Sequence, residues 1–264
     1  MKGLLANSGL AVIWGPPKCG KSFWVFDLGM HIALGRDYRG HRVQQATVVY
    51  VALEGKQGFS ARKEAFRRHH GIESAPFYLL STSLDLVEKS SELIASIKAQ
   101  LGKNLPGVLF LDTLNRSLVG SESKDEDMAR FLAAAERVAQ ELNCAVVIVH
   151  HCGIDASRPR GHTSLSGAVE SQLKVERGNT GEVIVTLELA KRLRGRDRDR
   201  IAAPARRTRH GCRWGPNHVA GRLAGRLFAE RKGNHPQAFR PPAPRACCAG
   251  RVRSDQRHTG SGKP

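Results

Sequence analysis

Apolar runs and amphipathic segments alternate over residues 1–190 of this chain. Short apolar runs predict five strands, at about residues 10–14, 47–53, 77–80, 107–112 and 145–150. Periodic patterns between them predict four helices, at about residues 20–34, 59–70, 87–101 and 125–142. Strands that are apolar on both faces are typical of a parallel sheet covered by helices. The alternation therefore predicts a doubly wound α/β domain.

Charge divides the chain into two unlike parts. Residues 1–190 hold 22 Lys and Arg against 20 Asp and Glu, so their net charge is +2. Residues 191–264 hold 20 basic and 4 acidic residues, a net charge of +16, which together make the total of +18. The first part thus has the near-neutral balance of an ordinary globular domain, and the basic excess belongs to the tail.

The tail is rich in Arg, Pro, Gly and Ala and shows little apolar periodicity. Such a composition buries too little apolar surface to offset chain entropy, so it predicts disorder. One interpretation is a basic arm that binds nucleic-acid phosphates. The other is an out-of-frame translation, because these four amino acids all have G/C-rich codons. The composition favours the second interpretation, and the DNA near codons 194–200 would decide between them.

The cysteines and the hydropathy pattern indicate a cytoplasmic protein. The chain shows no export signal and no apolar run long enough for a membrane span. Its six cysteines form no CxxC pair, which is typical of reduced thiols. A zinc site at His150-His151-Cys152 is disfavoured, because adjacent strand residues point to opposite faces.

A phosphate-binding motif lies between the first predicted strand and the first predicted helix. The segment GPPKCGKS fits G-x-x-x-x-G-K-[ST], in which glycines let backbone N–H groups approach phosphates at a helix N-terminus. Lys21 would reach the β- and γ-phosphates, and Ser22 would ligate Mg²⁺. We predict that the following residues bind ATP: Gly15, Pro16, Pro17, Lys18, Cys19, Gly20, Lys21, Ser22 and Phe23.

Polar side chains end three further predicted strands. Asp112 could hold Mg²⁺ opposite Ser22, although a turn or capping aspartate is the alternative. Glu54 could orient the attacking water, although a surface glutamate at a strand exit is common. Of His150 and His151, only one can face the nucleotide and report on its γ-phosphate. The alternative is a strand-end histidine satisfied by backbone contacts.

In chain order, these segments resemble the RepA-like hexameric replicative helicases, a plasmid and phage branch of the RecA-type ATPases. The resemblance spans about residues 3–194. It rests on GPPKCGKS, ALGRDYRGHRV, VVYVALEG, LFLDTLNRSLVG, DEDM, VIVHHCG, RGHTSLSGAVE and LAKRLRG. It implies a RecA-like ATPase core at residues 1–195. Residues 196–264 form the tail whose composition predicts disorder or a frameshift. It also implies a hexamer that acts on DNA, single-stranded in our interpretation.

The resemblance also implies roles for the strand-end residues. Lys21 and Ser22 match the phosphate and Mg²⁺ residues of the family. Asp112 matches the Walker B acid, and Glu54 the catalytic glutamate. His151 matches the γ-phosphate sensor. The sensor strand of the family lies between the P-loop and Walker B strands, which would bring His151 next to Glu54.

Some features depart from the family or stay open. Family members often carry a lysine at the position of Ile154. RecA-type rings complete each site with a basic residue of the neighbouring subunit, for which Arg192 and Arg194 are the candidates and Arg160 is a less favoured alternative. The basic segment Ser157–Ser166 is our expectation for the DNA-binding loop. The core of the family continues with further strands past the point where the resemblance ends.

Two other function classes stay open from the sequence. A P-loop kinase for a small molecule would need an acceptor pocket, and the strand-end Glu54 and His151 argue against it. A frame-damaged remnant would bind ATP weakly or fail to fold. ATP turnover and the oligomeric state separate these classes from a helicase-type ATPase.

Overall fold

The computed structural model describes residues 1, 3–54, 56–153, 159–160 and 163–191. Thirteen helices and strands follow one another in the described part of the chain. In order they are β1 (Gly9–Gly15), α1 (Lys21–Leu34), β2 (Val48–Ala52), α2 (Lys56–His70), β3 (Phe77–Leu80), α3 (Leu86–Leu101), β4 (Val108–Asp112), α4 (Leu114–Ser117), α5 (Asp125–Leu142), β5 (Ala145–His151), α6 (Ser164–Ala168), β6 (Ser171–Arg177) and β7 (Val183–Ala190).

The strands form one sheet in the order β3-β2-β4-β5-β1-β6-β7. All pairs from β3 to β6 are parallel, and β7 alone runs antiparallel, against β6. The strand β5 lies between β1 and β4, the position that the family resemblance implies for the sensor strand. The predicted doubly wound, mainly parallel α/β fold is confirmed.

Alternate residues of the central strands contribute side chains to two apolar cores, one on each face of the sheet. Ile13 and Phe110 pack with residues of α1 and α2 on one face. Val12 and Leu109, one position earlier in their strands, pack with residues of α3 and α5 on the other face. Because both faces are covered, every residue of β2 and β4 is buried, and their sequences are continuous apolar runs.

The five predicted strands and four predicted helices all exist, but two further strands were not predicted. In β6, buried residues alternate with half-buried ones, and in β7 half-buried residues alternate with exposed ones. The short helices α4 and α6 were also not predicted. Continuous apolar runs were the signal for strands, so the alternating segments SQLKVER and VIVTLELA went unrecognised.

Several expectations fall outside the described residues: the tail at 196–264, Arg192, Arg194, Ile154 and four of the ten residues of the segment Ser157–Ser166. No helix in the described part of the chain is both long and apolar enough to cross a membrane.

Candidate nucleotide site

The P-loop connects β1 to α1 and packs tightly on β6. A Cβ atom added to Gly15 would lie 2.0 Å from the main-chain oxygen of Val175. The Cys19 thiol donates a hydrogen bond to the same oxygen at 3.2 Å. Gly20, with φ 103°, makes the left-handed turn that starts α1. Glycine at position 15 is therefore required by the close approach of β6, independently of any ligand.

Lys21 begins α1 and turns back into the P-loop. Its side chain is buried, and its Nζ donates to the main-chain oxygens of Gly15 at 2.9 Å and Pro16 at 2.7 Å. Burial lowers the pKa of the Lys21 ammonium, and the charges of Cys19, Asp112, Cys152 and Glu54 oppose that shift. The ammonium is thus held at the C-terminal edge of the sheet, among acidic groups.

Asp112 ends β4 and is 2% exposed. Its Oδ2 accepts a 2.5 Å hydrogen bond from the Tyr50 hydroxyl. Burial raises the pKa of Asp112, while the Tyr50 hydrogen bond and the nearby Ser22 hydroxyl lower it. The Asp112–Thr113 peptide bond is cis. The structure thus brings together the two residues that were predicted to bind the metal.

The second oxygen of Asp112 identifies where a cation fits. Asp112 Oδ1 is buried and meets no hydrogen-bond donor among the residues that the structure describes. A buried, unpaired carboxylate oxygen is costly unless a cation or water satisfies it. Hydroxyl and carboxylate oxygens are the ligands that Mg²⁺ prefers. Ser22 and Asp112 therefore fit Mg²⁺ by both the chemistry of their donor atoms and this unsatisfied oxygen.

Glu54 follows β2 and is anchored from the residues after β4. Its Oε1 accepts hydrogen bonds from Arg116 Nε at 3.0 Å and from Thr113 Oγ1 at 3.3 Å. The main chain supports this arrangement, because the Leu53 N–H donates to the Asp112 carbonyl oxygen at 2.7 Å. Glu54 is thus positioned by the segment that directly follows Asp112.

The two histidines at the end of β5 lie in different environments. His150 is fully buried, and its Nε2 lies 2.8 Å from the main-chain oxygen of Arg160, so this nitrogen is the donor. His151 is half-buried, and burial and the charge of Lys21 lower its pKa, whereas Glu54 raises it. His151 therefore lies close enough to the P-loop for the charge of Lys21 to affect its pKa. The strand β4 separates the strands of Glu54 and His151.

Arg62 of α2 was not among the predicted residues. Its guanidinium lies over the ring of Phe23 at 4.2 Å and over that of Phe59 at 5.0 Å. Its charge lowers the pKa values of Asp112 and Tyr50. A signal was present in the sequence, an arginine in the helix that follows Glu54. Its proximity to Asp112, however, requires the strand order β2-β4.

Arg160 is the one described member of the three predicted arginines. Its Nε lies 4.0 Å from Glu122 Oε2 of the same chain, and its main-chain N–H donates to the His151 carbonyl oxygen at 3.0 Å. Its side chain is 53% exposed. Arg160 thus supports the end of β5 within its own subunit.

Comparison with known proteins identifies the family. The AAA_25 family model, described as an AAA domain, matches residues 1–157, which carry the P-loop, Glu54, Asp112 and His151. The chain belongs to this AAA domain family. It is accordingly a P-loop ATPase domain, whose family membership implies nucleotide binding.

A solved ATPase domain shares the fold of this AAA domain. The structure described as "ATPase Domain of G40P" is similar with a TM-score of 0.53 and 12% sequence identity, over 71% of this chain and 79% of that one. The RadB recombinase has a TM-score of 0.49 and 16% identity, over 72% of this chain and 84% of its own. No curated protein sequence matches the chain.

Proposed function

We propose that this AAA domain is a Mg²⁺-dependent ATPase in which Glu54 activates the water that attacks the γ-phosphate. The observation that carries the proposal is the proximity of half-buried Ser22 to buried Asp112, whose second carboxylate oxygen is unsatisfied, at the P-loop. Ser22 and Asp112 would hold Mg²⁺, which would supply charge neutralisation for the phosphates when ATP is bound.

The residues of the P-loop bind and orient the triphosphate. Backbone N–H groups at the start of α1 face the phosphates, because the helix N-terminus leaves them without intrahelical partners. Lys21 exchanges the carbonyl oxygens of Gly15 and Pro16 for β- and γ-phosphate oxygens. Its ammonium then stabilises the charge that develops on the transferred phosphoryl group.

Glu54 acts as the general base. Because its Oε1 is held by Arg116 and Thr113, we assign Oε2 as the atom that accepts the proton of the attacking water. His151 contacts the γ-phosphate as a neutral donor, which is supported by its lowered pKa. His150 holds the strand end in place through Arg160 rather than contacting phosphate.

We further propose that hydrolysis is coupled to single-stranded DNA in a RepA-like helicase, in replication or mobile-element maintenance. The support is the order of motifs over residues 3–194. The active form would be a homo-hexamer in which Arg192 or Arg194 of one subunit completes the site of the next. Both arginines lie outside the described residues.

Phosphate release from ATP tests the ATPase proposal. We expect Mg²⁺-dependent turnover that single-stranded DNA stimulates, and loss of turnover in both Lys21→Ala and Glu54→Gln. Nucleotide binding should persist in Glu54→Gln, because only the base is removed. The exposed Glu92→Gln is the matched control and should keep parental activity. Retained turnover in Glu54→Gln would contradict the assigned base.

Two further readouts test the helicase-type proposal separately. Turnover that requires a small phosphate acceptor would identify a kinase instead. Size-exclusion chromatography with ATP and Mg²⁺ should yield a ring, whereas a monomer or aggregate would favour a damaged remnant. Turnover without any response to DNA would retain the ATPase and remove the helicase assignment.

A further inference from the structure

A second cluster of ligand-type side chains lies between α1 and α2, away from the residues assigned to Mg²⁺. Asp27 and His31 are one turn apart on α1, and His70 is the last residue of α2. One ligand atom from each of these three residues lies within 4.8 Å of the others. All three are partly buried, so a small ion could reach them from solvent.

The hydrogen bonds of the cluster prepare His31 to bind a metal. His31 Nδ1 lies 2.8 Å from the main-chain oxygen of Asp27. A carbonyl oxygen can only accept, so Nδ1 carries the proton and the lone pair is on Nε2. Metal-binding histidines are commonly oriented by such a bond from their other ring nitrogen.

The other two residues are also oriented. Tyr38 donates a 2.9 Å hydrogen bond to Asp27 Oδ2, and Asp27 Oδ1 lies 3.6 Å from His31 Nδ1. The rings of His31 and His70 are perpendicular, with centroids 5.6 Å apart. Burial, together with the charges of His31, His69 and Arg36, lowers the pKa of His70, whereas Asp27 raises it. The ligand atoms of the three side chains thus lie close together before any ion binds.

We propose that Asp27, His31 and His70 bind one divalent transition-metal ion, with Zn²⁺ as the best fit and water as the fourth ligand. Two imidazoles and one carboxylate suit Zn²⁺ better than Mg²⁺, which prefers oxygen ligands alone. The bound ion would link α1, which carries Lys21, to α2, which directly follows the Glu54 segment. The competing explanation is that His31 and His70 only pack with the rings of Phe66 and Tyr38.

Zn²⁺ titration of the full chain, freed of metals with a chelator, tests the proposal. The parent should bind Zn²⁺ at this site and give the visible absorption of a tetrahedral ion when Co²⁺ is added. His31→Gln and His70→Gln should each bind at least about tenfold more weakly. His69→Gln alters the neighbouring residue of α2 and should bind as the parent does. Asp112→Asn should also keep Zn²⁺ binding, because it alters only the residue assigned to Mg²⁺.

Thermal unfolding shows whether each variant still folds and whether Zn²⁺ stabilises it. Zn²⁺ should raise the Tm of the parent and of His69→Gln, but not that of His70→Gln, because only the folded cluster binds the ion. His70 ends its helix, so His70→Gln should unfold like the parent when a chelator is present. Equal Zn²⁺ affinity in the parent, His31→Gln and His70→Gln would overturn the proposal. Absence of Zn²⁺ binding by the parent would overturn it as well.

Discussion

The Tyr50 hydroxyl donates a 2.5 Å hydrogen bond to Asp112 Oδ2, and both side chains are buried. Tyr50 lies on β2 and Asp112 ends the neighbouring β4. Burial and the charge of Asp112 raise the pKa of Tyr50 well above its ordinary value, so the phenol remains a donor at all working pH values. This bond opposes the effect of burial on Asp112 and favours its charged, metal-binding form.

Replacing Tyr50 by phenylalanine should weaken the response of turnover to Mg²⁺. Tyr50→Phe removes a bond that lowers the pKa of Asp112, so the carboxyl group should keep its proton to higher pH. We expect a higher Mg²⁺ concentration at half-maximal activity and an acid limb of the pH–rate profile displaced to higher pH. Tyr78→Phe, at an exposed tyrosine on β3, is the control and should change neither quantity. Identical profiles for Tyr50→Phe and the parent would contradict this role.

Asp112→Asn should abolish turnover and yet stabilise the metal-free fold. Burial raises the pKa of Asp112 above its unfolded value, so its charge destabilises the folded state at neutral pH. The gain in Asp112→Asn should be largest at neutral pH. It should shrink as pH falls through the raised pKa towards the unfolded value, because the parent carboxyl group then becomes neutral too.

Denaturant unfolding with a chelator, at neutral and acidic pH, measures this difference. A difference of 1 kcal/mol in the free energy of unfolding is equivalent to a shift of roughly 2–4 °C in Tm for a domain of this size. Mg²⁺ and ATP together should stabilise the parent more than the variant. Glu92→Gln removes an exposed carboxylate and serves as the control. An Asp112→Asn variant less stable than the parent at neutral pH would refute the expectation.

Arg116→Ala should reduce kcat because it removes a side chain that positions Glu54. Arg116 Nε and Thr113 Oγ1 share Glu54 Oε1, so losing the arginine leaves the carboxylate held by the weaker contact alone. Misplacement of a reacting group commonly costs about tenfold or more in rate. We expect kcat to fall about tenfold with little change in KM for ATP. Arg130→Ala, an exposed arginine of α5, is the control; an equal loss there would assign the effect to general charge.

Gly15→Ala should destabilise the domain even without nucleotide. The added Cβ would meet the main-chain oxygen of Val175 at 2.0 Å, so either the P-loop or β6 must move. Overpacking of this kind costs roughly 1–3 kcal/mol. Gly167→Ala is the control, since no atom lies within 4 Å of its added Cβ. Equal unfolding free energies for Gly15→Ala and the parent would contradict the prediction, because β6 would then move away from the added Cβ at little cost.

The sequence predicted strands best where consecutive residues are all buried. β4 has five buried residues in a row, so its apolar run VLFLD both predicted the strand and located Asp112 at its end. β7 has no fully buried residue, and its alternating pattern was missed. The apolar face of β6 and β7 packs against the core that includes α1. Because this apolar face is the one that is covered, polarity alternates along both strands. A search for continuous apolar runs could not detect such strands.

The partners within the site could not be predicted in the same way. Tyr50 and Asp112 are neighbours because β2 lies beside β4, and sequence separation carries no such information. Arg116 reaches Glu54 by the same adjacency. The choice between His150 and His151 also depended on the direction in which β5 faces. The motifs thus indicated which residues matter, and the strand order determined which of them touch.

The central position of β1 has a consequence for synthesis of this protein. β1 precedes its two neighbours, β5 and β6, by more than a hundred residues in the chain. Until residues 145–177 have been made, Val12 and Ile13 have no strand beside them, and the P-loop has no framework. Such long-range pairing slows folding and exposes apolar strands meanwhile. The nucleotide motif therefore gains its strand framework only after β5 and β6 have been synthesised.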